Sequence, residues 1–282
     1  MPWHVSSANS FSPVNVASEK SYRGVNVLCL WATAEIRGYP SGLWGTYRQW
    51  RELGAQVREG EKATPVVFWN TKEVEQEEES GEQRQKEIVL ARGYSVFNVS
   101  QVDGFIPPEA PKLSEATRVE AAERFLIGAG ADIRHGGDRA FYDPKADYVQ
   151  VPSYEAFRSA HGYYSTLAHE LTHWSGAPNR LARDLSGRFG SQAYAAEELV
   201  AELGAAFTLA KLGLSSEPRP DHACYIAPWI SLLKSDNRAI FTAASKAQKA
   251  VDWLTQRQEQ LLLPDREQRT SPEVDHNYEI SR

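Results

Sequence analysis

The stretch His169-Glu170-Leu171-Thr172-His173 decides how the second half of this chain is read. Its two histidines stand at i and i+4. On an α-helix that spacing puts both on one face, with Cβ atoms about 5–6 Å apart. Two imidazoles so placed can converge on one zinc, while Glu170 points beside them toward a water that the metal activates. The flanking residues fit a helix. Leu167, Leu171 and Trp174 form an apolar stripe at i, i+4 and i+7, and Gly176 and Pro178 stop it.

Two histidines leave the site incomplete, because a catalytic zinc takes three protein ligands and keeps one open position. The next helical pattern runs from Ser191, a capping residue, to Leu212, just before Gly213. Inside it, Glu197, Glu198 and Glu202 lie among Leu199, Val200, Leu203 and Phe207, a setting too apolar for a simple surface. Glu198 and Glu202 share a face, and burying two carboxylates together is costly without a cation or hydrogen-bond donors. Glu198 is therefore expected to be the third ligand, with Glu197 as the alternative. Glu202 is expected to accept the free N–H of a ligand histidine and so fix its tautomer.

Further out, Ser114 to Leu126 reads as a helix, and 140–151 as a hairpin around Asp143-Pro144-Lys145. Residues 152–262 are almost wholly helical in pattern. From 264 to 282 the chain is polar and aperiodic, which predicts a disordered tail. Ile106-Pro107-Pro108-Glu109-Ala110-Pro111 reads as a stiff linker over 106–113. It separates a unit over 1–105 from a second unit over 114–263.

The first unit has its own pattern. Val25 to Ile36 and Thr46 to Leu53 read as helices, and Pro65 to Trp69 and Ile88 to Val99 as strands. Lys72 to Glu87, rich in glutamate, predicts a solvated, mobile loop. The fold class is thus α+β: a mixed N-terminal domain, then a mainly helical domain with a small β-sheet. Residues 1–70 hold seven Lys and Arg against five acids, in a chain of net charge -6. That charge excludes a uniformly basic nucleic-acid binder and leaves room for a local basic face. Tyr22, Trp31, Trp44, Tyr47, Trp50 and Trp69 are interleaved with these cations, a mixture that suits single-stranded nucleic acid.

The 282 residues include only Cys29 and Cys224, which predicts no disulfide framework and a reducing, cytoplasmic setting. No apolar run reaches the ~18 residues that a membrane helix needs. Met1-Pro2-Trp3-His4 does not open a signal peptide, so no membrane partner is expected.

The His-Glu-x-x-His pair followed by Glu198 and Glu202 resembles the gluzincin class of metallopeptidases. More of the chain is similar to the ArdC-type antirestriction proteins. The matching stretches are Tyr22-Arg23-Gly24-Val25-Asn26, Trp44-Gly45-Thr46-Tyr47-Arg48-Gln49-Trp50, Gly60-Glu61-Lys62-Ala63, Val96-Phe97-Asn98-Val99 and His169 to Trp174. The resemblance implies a single-stranded-DNA-binding domain joined to a zincin-like metallopeptidase domain. Such proteins are carried by conjugative plasmids and related mobile elements, where they protect incoming DNA from restriction. Zn2+ is the implied cofactor, with Mn2+ as another divalent choice; the implied partners are single-stranded DNA and a protein substrate. Arg23, Arg48, Arg51 and Lys62 are expected to meet phosphates, and Trp44, Tyr47 and Trp50 to stack on bases. Family members usually carry an amphipathic helix before the Pro-Trp that stands here as Pro2-Trp3, so part of the DNA-binding domain is expected to be lacking. Two other functions fit the same residues. One is a DNA-coating protein with a structural or vestigial metal; the other is a DNA-regulated protease of a repressor or a DNA-bound partner.

Overall fold

A computed structural model describes residues 12–77, 83–107, 114–188, 191–214 and 222–269. The architecture is α+β, with helices and several small sheets. The first unit opens with the two-residue strand β1 (Val14–Asn15) and α1 (Val25–Arg37). α1 buries Val27, Leu28, Leu30, Trp31 and Ala34 and ends where Gly38 turns left-handed at φ 66°. β2 (Leu43–Thr46) leads into α2 (Tyr47–Glu52). Thr46 and Gln49 form a reciprocal capping box there, which explains so short a helix.

After β3 (Gln56–Val57), β4 (Thr64–Glu77) and β5 (Gln83–Asn98) form a long antiparallel hairpin, and β6 (Val102–Asp103) pairs with β3. The main sheet has the order β1-β2-β5-β4. The loop expected over 72–87 is corrected by this hairpin, whose ladder continues to Glu77 opposite Gln83. A dense run of charge does not exclude a strand, because a two-stranded ribbon satisfies its own backbone whatever its side chains. The tip of the hairpin, the start of the chain and most of the Pro-rich stretch lie outside the described residues.

In the second unit, α3 (Glu115–Ile127) is capped by Ser114. β7 (Asp132–His135), β8 (Phe141–Asp143) and β9 (Tyr148–Val151) form a sheet of order β7-β9-β8. The sequence reading missed β7, which pairs in parallel with β9, so β9 is the central strand. Four helices complete the unit: α4 (Ala160–Ser175), α5 (Gln192–Lys211), α6 (His222–Ser235) and α7 (Ala239–Arg269). α7 runs on through Pro264 to Arg269, where a tail was expected. Residues 270–282 lie outside the description.

α5 is buried almost all round from Ala195 to Ala210. One side packs on α4 through Ala205 and Leu209, in a core with Leu167, Leu171 and Trp174. Its other side, through Leu199, Val200, Leu203 and Phe207, joins a second core with Leu30, Trp31, Trp44 and Val66 of the first unit. The two halves of the chain therefore meet on one helix, the helix that carries Glu197, Glu198 and Glu202.

Candidate metal centre

α4 is started by Ser159, whose side chain accepts from the Gly162 N–H, and it stops at Gly176. Its second half is sunk between α5 and the small sheet, which drives His169, Glu170 and Thr172 into the interior. α5 crosses close by at Gly204. A Cβ added there would sit 2.5 Å from Thr172 Cγ2 and 2.6 Å from its Oγ1, so only glycine lets the helices approach this closely. The approach brings Glu198 over the two histidines.

The ligand-type atoms of His169, His173 and Glu198 lie within 4.8 Å of one another. The two Nε2 atoms are 3.1 Å apart. Glu198 places Oε2 at 3.5 Å from His169 Nε2 and Oε1 at 3.4 Å from His173 Nε2. Carboxylates also stand behind both rings. His173 Nδ1 faces Glu197 Oε1 at 3.2 Å, and His169 Nδ1 faces Glu202 Oε2 at 3.6 Å, just beyond hydrogen-bond length. Carboxylate partners assign the proton to Nδ1 in each ring, which leaves the Nε2 lone pairs turned toward each other and toward Glu198. Three electron-pair donors converging in a dry space repel one another unless a cation sits among them. The donor set, two imidazoles and one carboxylate with an acid one residue away, fits a zinc-type divalent ion.

Electrostatics point the same way. Burial alone would lower the pKa of His173, but the carboxylates of Glu197 and Glu198 outweigh it and hold the imidazole up at about 10. Burial would raise Glu198, yet hydrogen bonding and charge from both histidines hold it far below the usual carboxylate range. Without a metal, protons supply the positive charge that this site demands.

The structure brings His169, His173 and Glu198 together and sets Glu202 behind His169 without the hydrogen bond expected to its Nδ1, while Glu197 stands apart. It stands behind His173, bound by the buried Arg183 through Nη2 at 2.9 Å, and lies outside the ligand cluster. Arg183 went unnoticed in the sequence because it lies on the loop after α4 and shares no helical spacing with the site. Among the aromatic and histidine side chains upstream, the Tyr163 hydroxyl is 2.8 Å from His135 Nε2, and the Tyr164 hydroxyl donates to Glu123. Burial pushes the Tyr163 phenol up to about 12. An extended peptide finds no free edge on β9, since β7 and β8 occupy both of its sides.

In the first unit the expected DNA residues divide. Trp44 is 1% exposed and Trp50 0% exposed, with Trp50 Nε1 donating to the Phe97 carbonyl at 3.0 Å. Both build the core and cannot stack on a base, which corrects that reading; an indole with a satisfied N–H is a core residue. Tyr47, Arg48, Arg51 and Lys62 are exposed; Arg48 pairs with Glu52, and Arg23 pairs with Asp252 of α7. The structure adds a cluster that the sequence reading did not single out. Phe68 and Tyr94 meet edge to face at 5.4 Å on the β4–β5 hairpin and Arg92 lies 5.3 Å from the Tyr94 ring centre, while Trp69 is exposed on the opposite face of the ribbon. Strand alternation gave no warning, since Phe68 shares a face with Val66, which is buried, and only where the core ends along β4 decides that Phe68 is exposed.

No described helix is long and apolar enough to cross a membrane. Two family models match the chain. The N-terminal domain of anti-restriction factor ArdC covers residues 1–97, and a zincin-like metallopeptidase model covers 120–246. The uncharacterized protein y4eC of Sinorhizobium fredii is 56% identical over 90% of this chain and 84% of its own length. A DNA primase TraC of Escherichia coli is 40% identical over 90% of this chain, which spans only 25% of that larger protein. Crystal structures of the antirestriction ArdC protein from plasmid R388 superpose well. The metal-free form has a TM-score of 0.73, 41% identity and 89% of each chain covered. The Mn(II)-bound form has a TM-score of 0.72, 40% identity and 88% of each chain covered.

Proposed function

The chain belongs to the ArdC family of antirestriction proteins, and on that premise we propose that it binds single-stranded DNA and carries a zinc-dependent peptidase site. The observation that supports the peptidase reading is the buried convergence of His169, His173 and Glu198, with Glu170 enclosed on the same helix. A structural metal site has no use for an acid between its ligands. The similar R388 protein was crystallised with Mn(II), which supports a divalent ion here, zinc or manganese.

In this reading His169, His173 and Glu198 hold the metal, and Glu202 and Glu197 orient the two rings. A divalent ion so held polarises a scissile carbonyl and acidifies a water. Glu170 takes the proton from that water and delivers it to the leaving amine. The unit over 1–105 supplies the DNA surface. Tyr47, Arg48, Arg51 and Lys62 remain available there, and Phe68, Trp69, Arg92 and Tyr94 take over the stacking role first expected of Trp44 and Trp50. Contacts of this kind are largely blind to base sequence.

The second reading, a DNA-binding protein whose metal is structural, is separated from the first by Glu170→Gln. The variant is expected to retain metal and to lose turnover on a peptide library by about 10²–10⁴-fold. Full antirestriction by a metal-loaded Glu170→Gln protein in a plasmid-transfer assay would remove the peptidase from the function and leave the structural reading.

A further inference from the structure

We infer that Arg183 is a positioning residue for the metal site: through Glu197 it sets the orientation of His173, and it ties together the two helices that carry the ligands. The inference rests on the metal-site reading above. Arg183 is reached by a loop that doubles back under α4. The Leu181 N–H donates to the Ser175 carbonyl at 3.0 Å, Ala182 to Ala177 at 3.0 Å and Arg183 to Gly176 at 2.8 Å. Ala182 takes a left-handed φ of 48°, a conformation that a residue with a Cβ keeps only when its surroundings enforce it. Gly176 has no space for a side chain, since a Cβ there would lie 2.8 Å from Arg183 Nη2 and 3.0 Å from the His173 carbonyl. The loop is shaped around the guanidinium.

The guanidinium itself is 4% exposed and its donors are spent on both helices. Nη2 donates to the Thr172 carbonyl at 2.5 Å and Nη1 to Ser175 Oγ at 3.0 Å, which holds the last turn of α4. Nη2 reaches Glu197 Oε1 at 2.9 Å, and Nε lies 3.2 Å from both carboxylate oxygens, which holds α5. Glu197 Oε1 in turn accepts from His173 Nδ1 at 3.2 Å. A carboxylate placed between an imidazole and a buried guanidinium cannot rotate without leaving a charge unpaired. Arg183 thus keeps Glu197 behind the ring and out of competition with Glu198 for the metal. A lysine would supply the charge without the planar fork that spans the Thr172 carbonyl, Ser175 and Glu197 together.

The test is a double-mutant cycle on the full chain. Zinc affinity is measured by competition with a chromophoric chelator, and coordination geometry is read from the visible absorption of the Co(II)-loaded protein. Arg183→Met is expected to weaken zinc binding about 10–100-fold, as loss of an outer-sphere partner does, and to change the Co(II) bands. Arg183→Lys is expected to recover only part of the affinity. In a Glu197→Gln background, Arg183→Met is expected to add less than about threefold, because the two residues act through one contact. Independent effects that multiply, or wild-type zinc affinity and Co(II) bands in Arg183→Met, would reduce the cluster to an ordinary buried ion pair. If Arg183→Met fails to fold, unchanged affinity and Co(II) bands in Arg183→Lys would overturn the inference equally. A wild-type chain that takes up no zinc would instead remove the metal-site reading, and this inference with it.

Discussion

On α4 and α5, ionisable side chains are sunk where apolar ones belong: His169, Glu170, Glu197, Glu198 and Glu202 are all buried. On the β4–β5 hairpin the inversion runs the other way, and Phe68, Trp69, Leu90 and Tyr94 stand in solvent. Both arrangements cost stability in isolation. Buried charge forces its surroundings into a single geometry, because every donor and acceptor has to find a partner. Exposed aromatic surface imposes no such geometry and gains its value from whatever covers it. A metal accordingly needs the first region, and a flexible polymer such as single-stranded DNA suits the second.

The comparison predicts its largest effects at the ligands. His169→Ala or His173→Ala is expected to abolish stoichiometric metal, and Glu198→Ala to weaken it severely, while DNA binding is kept in all three. Metal analysis of the purified variants, alongside fluorescence titration with oligo-dT, checks both arms. Full zinc retention in Glu198→Ala would move the third ligand elsewhere.

Next comes the contrast between buried and exposed aromatics. Trp50→Ala is expected to cost about 3–5 kcal/mol of stability in denaturant unfolding, as deletion of a packed indole does. Tyr94→Ala is expected to leave stability nearly unchanged and to weaken oligo-dT binding by about 1–3 kcal/mol, with the salt dependence of binding kept. Equal stability losses in the two variants would erase the distinction drawn between core and surface.

Why the candidate metal site was legible in the sequence and the proposed DNA face was not follows from the range of the constraints. His169 and His173 are tied by a four-residue helical repeat, and Glu198 stood out because carboxylates interrupt an otherwise apolar helix. These are local patterns with a physical cost attached. Arg183 and Gly204 reach the site only through tertiary packing, which no spacing reveals. Trp44 and Trp50 carry the same composition whether they line a core or a surface, and only the pairing of β2 with β5 decides between the two. The helices of both units were readable from their caps and stripes, whereas β7, four residues long and paired in parallel, left no periodic signal.

A smaller effect is expected at Gly204. Gly204→Ala should destabilise the protein by about 1–3 kcal/mol, since its Cβ collides with Thr172, and it should lower metal affinity by moving Glu198. Combining it with Thr172→Ala should recover part of both losses. Thermal unfolding with and without zinc separates the two contributions.

A further effect is one of pH on the metal-free protein. The folded-state pKa of His173 is raised to about 10 from an ordinary 6.5, so its stabilising contribution is complete below 6.5 and is lost as pH rises toward 10. Denaturant midpoints of chelator-treated protein are expected to fall across that window. Zinc-loaded protein should not show the fall, because the metal takes the place of the proton.

The central claim, that His169, His173 and Glu198 form one metal site, is tested most directly by anomalous scattering from a crystal of the wild-type chain grown with zinc. The account predicts a single strong peak bounded by the Nε2 atoms of the two histidines and the carboxylate of Glu198, with Glu197 and Glu202 behind the rings. A peak coordinated by Glu197 in place of Glu198, or no peak between α4 and α5, would contradict it.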